Sequence, residues 1–60
     1  MARIMIGSKV RHDFSKEIGY VLAFRRDPNK YNYQVEWHTV VGGKLNLKVD
    51  WMKREVLELV

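Results

Sequence analysis

Two stretches of strict alternation fix the fold class before composition is considered. Tyr31, Tyr33, Val35 and Trp37 alternate with Asn32, Gln34, Glu36 and His38. Leu45, Leu47, Val49 and Trp51 alternate with Lys44, Asn46, Lys48 and Asp50. A period of two marks a strand with one face on a core and the other in water. Gly42-Gly43 separates the stretches and reads as a hairpin turn. Its length decides the register. A two-residue loop sets Val41 opposite Lys44 and Trp37 opposite Lys48, so apolar residues of one strand share a face with polar residues of the other. A three-residue loop, Val41-Gly42-Gly43, sets Trp37 opposite Leu47, Val35 opposite Val49 and Tyr33 opposite Trp51. One residue of slip exchanges the faces. Matching the apolar sets predicts the longer loop, with Gly43 left-handed in a G1 bulge.

The remaining segments are short. Ile4 to Phe14 holds one strand-like stretch, and Ser15-Lys16-Glu17 reads as a loop. Ile18 to Arg26 is a second strand whose Gly19 marks a bulge or a close backbone approach. Asp27-Pro28-Asn29-Lys30 is the strongest turn signal. Met52 to Glu55 reads as one helical or 3₁₀ turn, and Val56 to Val60 as a closing strand. No window carries a long amphipathic helix.

Sixty residues make one small domain, residues 1–60, with 1–6 as a flexible or edge-strand start. A chain of this size buries only about 60% of its unfolded surface. It has no cysteine and two histidines, so neither a disulfide nor a structural zinc site supplements the core. Several short strands must therefore curl around one core. The expected fold is all-β, a small five-stranded barrel with a 3₁₀ turn before the last strand. No apolar run approaches the roughly 18–20 residues of a membrane span. Ile4-Met5-Ile6 is too short for a signal-peptide core, and the expected location is the cytoplasm.

Four sequence features resemble the SH3-like barrels of the KOW/Tudor type. They are Gly7-Ser8-Lys9-Val10-Arg11, Glu17-Ile18-Gly19-Tyr20-Val21, the alternating Tyr31-to-Trp37 strand, and Glu55-Val56-Leu57-Glu58-Leu59. The similar pattern covers residues 7–60. It implies a barrel opening on a G-x-x-V-R strand and ending in a 3₁₀ turn and short strand. KOW-type segments carry glycine in the first loop, where this chain has Phe14-Ser15-Lys16-Glu17.

No nucleophile elbow, phosphate loop or dinucleotide fingerprint is present, and a barrel this small spends its interior on its own core. The chain reads as non-catalytic, with no cofactor. His12 beside Asp13, and His38 on a polar strand face, lack converging third and fourth ligands for a metal. Tyr33, Trp37 and Trp51 alternate with polar residues and read as core. Val21 is the safest core position of its strand, while Leu22 or Phe24 could join an exposed patch.

Eleven Lys and Arg against seven Asp and Glu give a net charge of +4, compatible with an anionic partner. Lys9, Arg11, Arg25, Arg26, Lys30, Lys44 and Lys48 are the candidate phosphate contacts for DNA or RNA, with weak sequence specificity. In the three-residue-loop register, Lys44 and Lys48 share a face with Asn32, Gln34, Glu36 and His38. The alternative is a protein-interaction module or small accessory subunit. It would dock through Phe14 in the first loop, Tyr20 beside Gly19, and Val41 at the hairpin tip. Self-association is compatible with both readings.

Overall fold

The computed structural model describes residues 3–60. It is all-β, with five antiparallel strands: β1 Lys9–His12, β2 Ile18–Phe24, β3 Tyr31–Val41, β4 Lys44–Lys53 and β5 Leu57–Leu59. A 3₁₀ turn, Arg54–Val56, precedes β5. The strands form one sheet in the order β4-β3-β2-β1-β5. Among the described residues no hydrogen bonds close it, so β4 and β5 are its two edges. No helix among the described residues is long and apolar enough to cross a membrane.

Local chemistry accounts for the turns. Asp27 accepts the Asn29 N–H on its Oδ1 at 2.7 Å and the Lys30 N–H on its carbonyl oxygen at 2.9 Å. Pro28 presets the first turn angle, and Lys30 takes a φ of 69°. In the β1–β2 turn His12 is the organiser. Its Nδ1 accepts the backbone N–H groups of Phe14 and Ser15 at 3.1 and 3.2 Å. Its carbonyl accepts the Lys16 N–H at 3.0 Å, and Lys16 has a φ of 62°.

Ile4, Val10, Val21, Val35, Trp37 and Leu57 are buried, with Tyr33, Met52, Val56 and Leu59 packed around them. Burying one such aliphatic side chain is worth about 1.5–3 kcal/mol. Across the sheet, Val10 faces Gly19 and Gly19 faces Trp37, so the core lies on one face. The 3₁₀ turn after β4 contacts β3, which brings the β5 end of the chain back over that face. Residues 3–8 form no strand, yet Ile4 belongs to the core. The segment is held by Gly7 N–H to the Val21 carbonyl at 2.7 Å and by Met5 N–H to Ser8 Oγ at 2.9 Å. Residues 1 and 2 of the segment expected to be flexible lie outside the described residues.

Gly19 marks a close approach. A Cβ there would lie 2.7 Å from Trp37 Cε3 and from Val35 Cγ1, and 2.8 Å from the Glu36 carbonyl oxygen. The bulges of the sheet lie elsewhere, between Val21 and Ala23 on β2 and between Tyr31 and Tyr33 on β3.

The β3–β4 register departs from the expectation. Val41 faces Lys44, His38 faces Leu47 and Trp37 faces Lys48. The loop is Gly42-Gly43, with φ of 58° and 76°. Gly43 is left-handed as expected, but so is Gly42, and there is no bulge at the turn. Two successive positive φ values make the mirror-image turn whose twist matches that of paired strands. The apolar sets of β3 and β4 therefore lie on opposite faces. The cost is small because β4 is an edge strand: from Lys44 to Asp50 every residue is exposed, so its Lys48 and Asp50 stay in water on the core-side face.

Candidate docking surface

On the face away from the core, two rows cross the sheet. One runs Arg11, Ile18, His38, Leu47, and the next runs Lys9, Tyr20, Glu36, Val49. Val40 faces Leu45 one step beyond them. Val40, Leu45, Leu47 and Val49 are 72%, 61%, 57% and 49% exposed. They form a continuous apolar area at the outer end of the β3–β4 hairpin. β2 pairs with β3 only as far as His38, so the hairpin projects beyond the rest of the sheet, and the molecule extends 37 Å along its longest axis.

Polar and aromatic contacts border this area. The Tyr20 ring meets His38 edge-on at 5.2 Å between centroids, and His38 Nε2 lies 3.0 Å from Glu36 Oε1. At the other end of the face the Arg25 guanidinium lies 3.9 Å over the Trp51 ring. It also pairs with Asp27 Oδ2 at 3.1 Å and donates from Nε to the Tyr31 carbonyl at 3.3 Å. Lys53 Nζ sits 5.0 Å over the Tyr31 ring. Trp51, read from the alternation as core, is thus half-buried beneath Arg25 on the outer face.

The seven basic candidates divide. Lys9 and Arg11 flank the outer-face rows, and Arg11 faces Glu58 of β5. Arg25 is folded onto Trp51. Arg26 and Lys30 are exposed at the ends of the Asp27–Asn29 turn. Lys44 and Lys48 lie on the opposite face, across from Val41 and Trp37, and not with Gln34, Glu36 and His38. The register explains this: the shorter loop turned β4 over.

The three partner candidates do not converge either. Phe14 is 81% exposed in the β1–β2 turn, against the His12 ring at 6.2 Å. Tyr20 is on the outer face and Val41 on the core-side face at the hairpin tip. Sequence reasoning missed Leu45, Leu47 and Val49, whose alternation was read as core. The signal that finds them is the glycine pair, which favours a two-residue turn and so fixes the parity of β4.

Two further features complete the surface. Arg3, Ile4, Phe24, Tyr33 and Arg54 line an open cleft of about 310 Å³, in which Arg54 is held by its Nη1 bond to the Leu57 carbonyl at 3.2 Å. Among the described residues, no three His, Cys, Asp or Glu side chains gather in a way that could hold a metal ion.

No family model, curated protein or solved structure matches the chain.

Proposed function

We propose that this chain is a small non-catalytic binding module, an SH3-like barrel in which the open sheet coils around its core, and that it docks another protein along β4. The observation that carries the reading is the combination of a ten-residue strand at a sheet edge with three exposed aliphatic side chains, Leu45, Leu47 and Val49, on its outer face. An unpaired edge presents a row of backbone donors and acceptors to any incoming strand. A contiguous exposed apolar area adds burial to those bonds. Together they suit strand addition, in which main-chain bonds give affinity and alternate side chains give selectivity.

The test is affinity capture with the intact chain and with Leu47→Glu. Leu47 is 57% exposed, so the variant is expected to keep the fold, checked by amide dispersion and an unchanged thermal midpoint. Partners retained by the wild type and lost by the variant support docking through β4. Capture that is equal for both chains overturns it.

A nucleic-acid reading is favoured by one observation, the placement of Lys9 directly opposite Tyr20 with Arg11 one row away on the same face. Two or three engaged phosphates would give a slope of about −2 to −3 for log K against log salt on duplex DNA. The same chain titrated with DNA and RNA at two salt concentrations tests it, and a flat salt dependence removes it.

A further inference from the structure

We infer that the occupant of the β4 edge is a second copy of this chain, paired antiparallel through β4 with Val49 on the two-fold axis. The inference rests on the docking reading above and names its partner.

The backbone fixes which groups are free. A two-residue loop closes on a hydrogen-bonded pair, here Val41 and Lys44, and ladder bonds recur at every second residue. The backbone groups of Lys44, Asn46, Lys48, Asp50 and Met52 therefore turn toward β3. Those of Leu45, Leu47, Val49 and Trp51 turn outward. The Trp51 N–H turns away from β3 as well, but it donates to the neighbouring Asp50 Oδ1 at 2.9 Å, so pairing at this position exchanges that bond for one to the second copy. No proline lies in β4, and among the described residues no strand pairs with it on that side.

Two-fold pairing of β4 with itself allows few registers. Opposed residues share a face, so apolar must meet apolar. Centring the axis on Lys48 sets two lysines against each other, which is unfavourable. Centring it on Leu47 opposes Lys44 with Asp50 only at the far ends, leaves Lys48 opposite asparagine beside the axis, and excludes Trp51, Met52 and Lys53 from the ladder. Centring it on Val49 sets Leu47 opposite the second copy's Trp51, and Val49 opposite itself. On the other face it sets Lys48 opposite the second copy's Asp50, twice, immediately beside the axis. The ladder then runs from Leu45 to Lys53. From Leu47 to Trp51 the strand is thus complementary to itself in charge and in hydrophobic order, while the outer pairs, Leu45 with Lys53 and Asn46 with Met52, are unmatched. Lys48 on an edge strand is ordinarily a guard against such pairing. Asp50, two residues away on the same face, converts it into a partner.

The experiment is sedimentation of the full chain across a concentration series at physiological salt. The wild type is expected to shift from the 7.2 kDa chain mass toward twice that mass. Val49→Lys opposes two lysines at the axis, and Lys48→Asp opposes aspartates in both pairs. Each is expected to weaken association about tenfold or more. The exchange variant K48D/D50K restores the opposite charges and recovers wild-type association, which a merely misfolded variant could not do. A wild-type monomer up to about 1 mM, weaker than any useful affinity, overturns the inference and leaves Lys48 as an edge guard. So does undiminished association of Val49→Lys. Either result leaves the docking reading standing if capture still depends on Leu47, whereas loss of that dependence removes the docking reading itself.

Discussion

Trp37 of β3 stands directly opposite Lys48 of β4. Trp37 is buried and Lys48 is exposed, so the pair marks the line where the core ends and the projecting hairpin begins. It also decides which way β4 faces. With Lys48 on the core side, its neighbours Leu47 and Val49 must point outward. The surface chemistry of the molecule follows from this one pairing.

The pairing predicts specific proton contacts. Pairs without ladder bonds bring their Cα atoms to about 4.5 Å. In the two-residue-loop register these are His38 with Leu47 and Glu36 with Val49. Strong cross-strand Hα contacts are expected between those residues in NMR spectra. Contacts between Trp37 and Leu47 would instead indicate the three-residue loop and return the apolar residues of β4 to the core side.

Gly19 has no room for a side chain. A methyl group there would press on Trp37, Val35 and the Glu36 carbonyl at under 3 Å. Backbone cannot yield as a flexible side chain would, so the two strands must separate. Gly19→Ala is expected to destabilise by about 1–3 kcal/mol, the usual range for overpacking. In a domain of this size each kcal/mol lowers the thermal midpoint by roughly 4–8 °C. A thermal melt of the variant checks it, and an unchanged midpoint would mean that β2 and β3 are farther apart.

Arg25 and Arg26 are adjacent in sequence and unequal in structure. Arg25 stacks on Trp51, pairs with Asp27 and donates to the Tyr31 carbonyl, tying the turn at 27–30 to both β3 and β4. An exposed cation–π contact is worth about 0.5–1 kcal/mol and a surface ion pair about 0.2–1 kcal/mol. Arg25→Ala is expected to cost about 1 kcal/mol or slightly more. Arg26→Ala is expected to stay within about 0.5 kcal/mol of wild type. Denaturant titration of the two variants measures the difference. A binding loss in Arg25→Ala must therefore be compared with its stability before it is assigned to a lost contact.

The strands, the 3₁₀ turn and the proline turn were legible in the sequence because each rests on local chemistry. Alternation sets Tyr31 to His38, Asp27 and Pro28 set the turn, and Gly19 flags a close approach. The face of β4 was not legible from hydrophobic matching. Hydrophobic matching treats every apolar row as a core row, and it fails for an edge strand that projects past the core. The conformational demand of Gly42-Gly43 outweighed it. The basic candidates divided for the same reason, since Lys44 and Lys48 moved with β4. The role of His12 was also hidden, because its Nδ1 bonds to Phe14 and Ser15 depend on how the first turn closes.

That first turn holds a left-handed residue that carries a side chain. Lys16 adopts φ 62°, a conformation that costs an L-residue with a Cβ roughly 1–2 kcal/mol and glycine little. Glycine in turn adds freedom to the unfolded chain, which offsets part of the gain. Lys16→Gly is expected to stabilise by about 0.5–1 kcal/mol. Lys16→Ala keeps the Cβ and removes the same charge, so it is expected to leave stability unchanged within about 0.5 kcal/mol. The pair separates backbone strain from charge. Lys30, with φ 69°, sits in a separate turn, and Lys30→Gly should add to Lys16→Gly almost independently. Thermal melts of the single and double variants test this. Equal gains from the alanine and glycine variants at position 16 would trace the effect to charge and not to the turn.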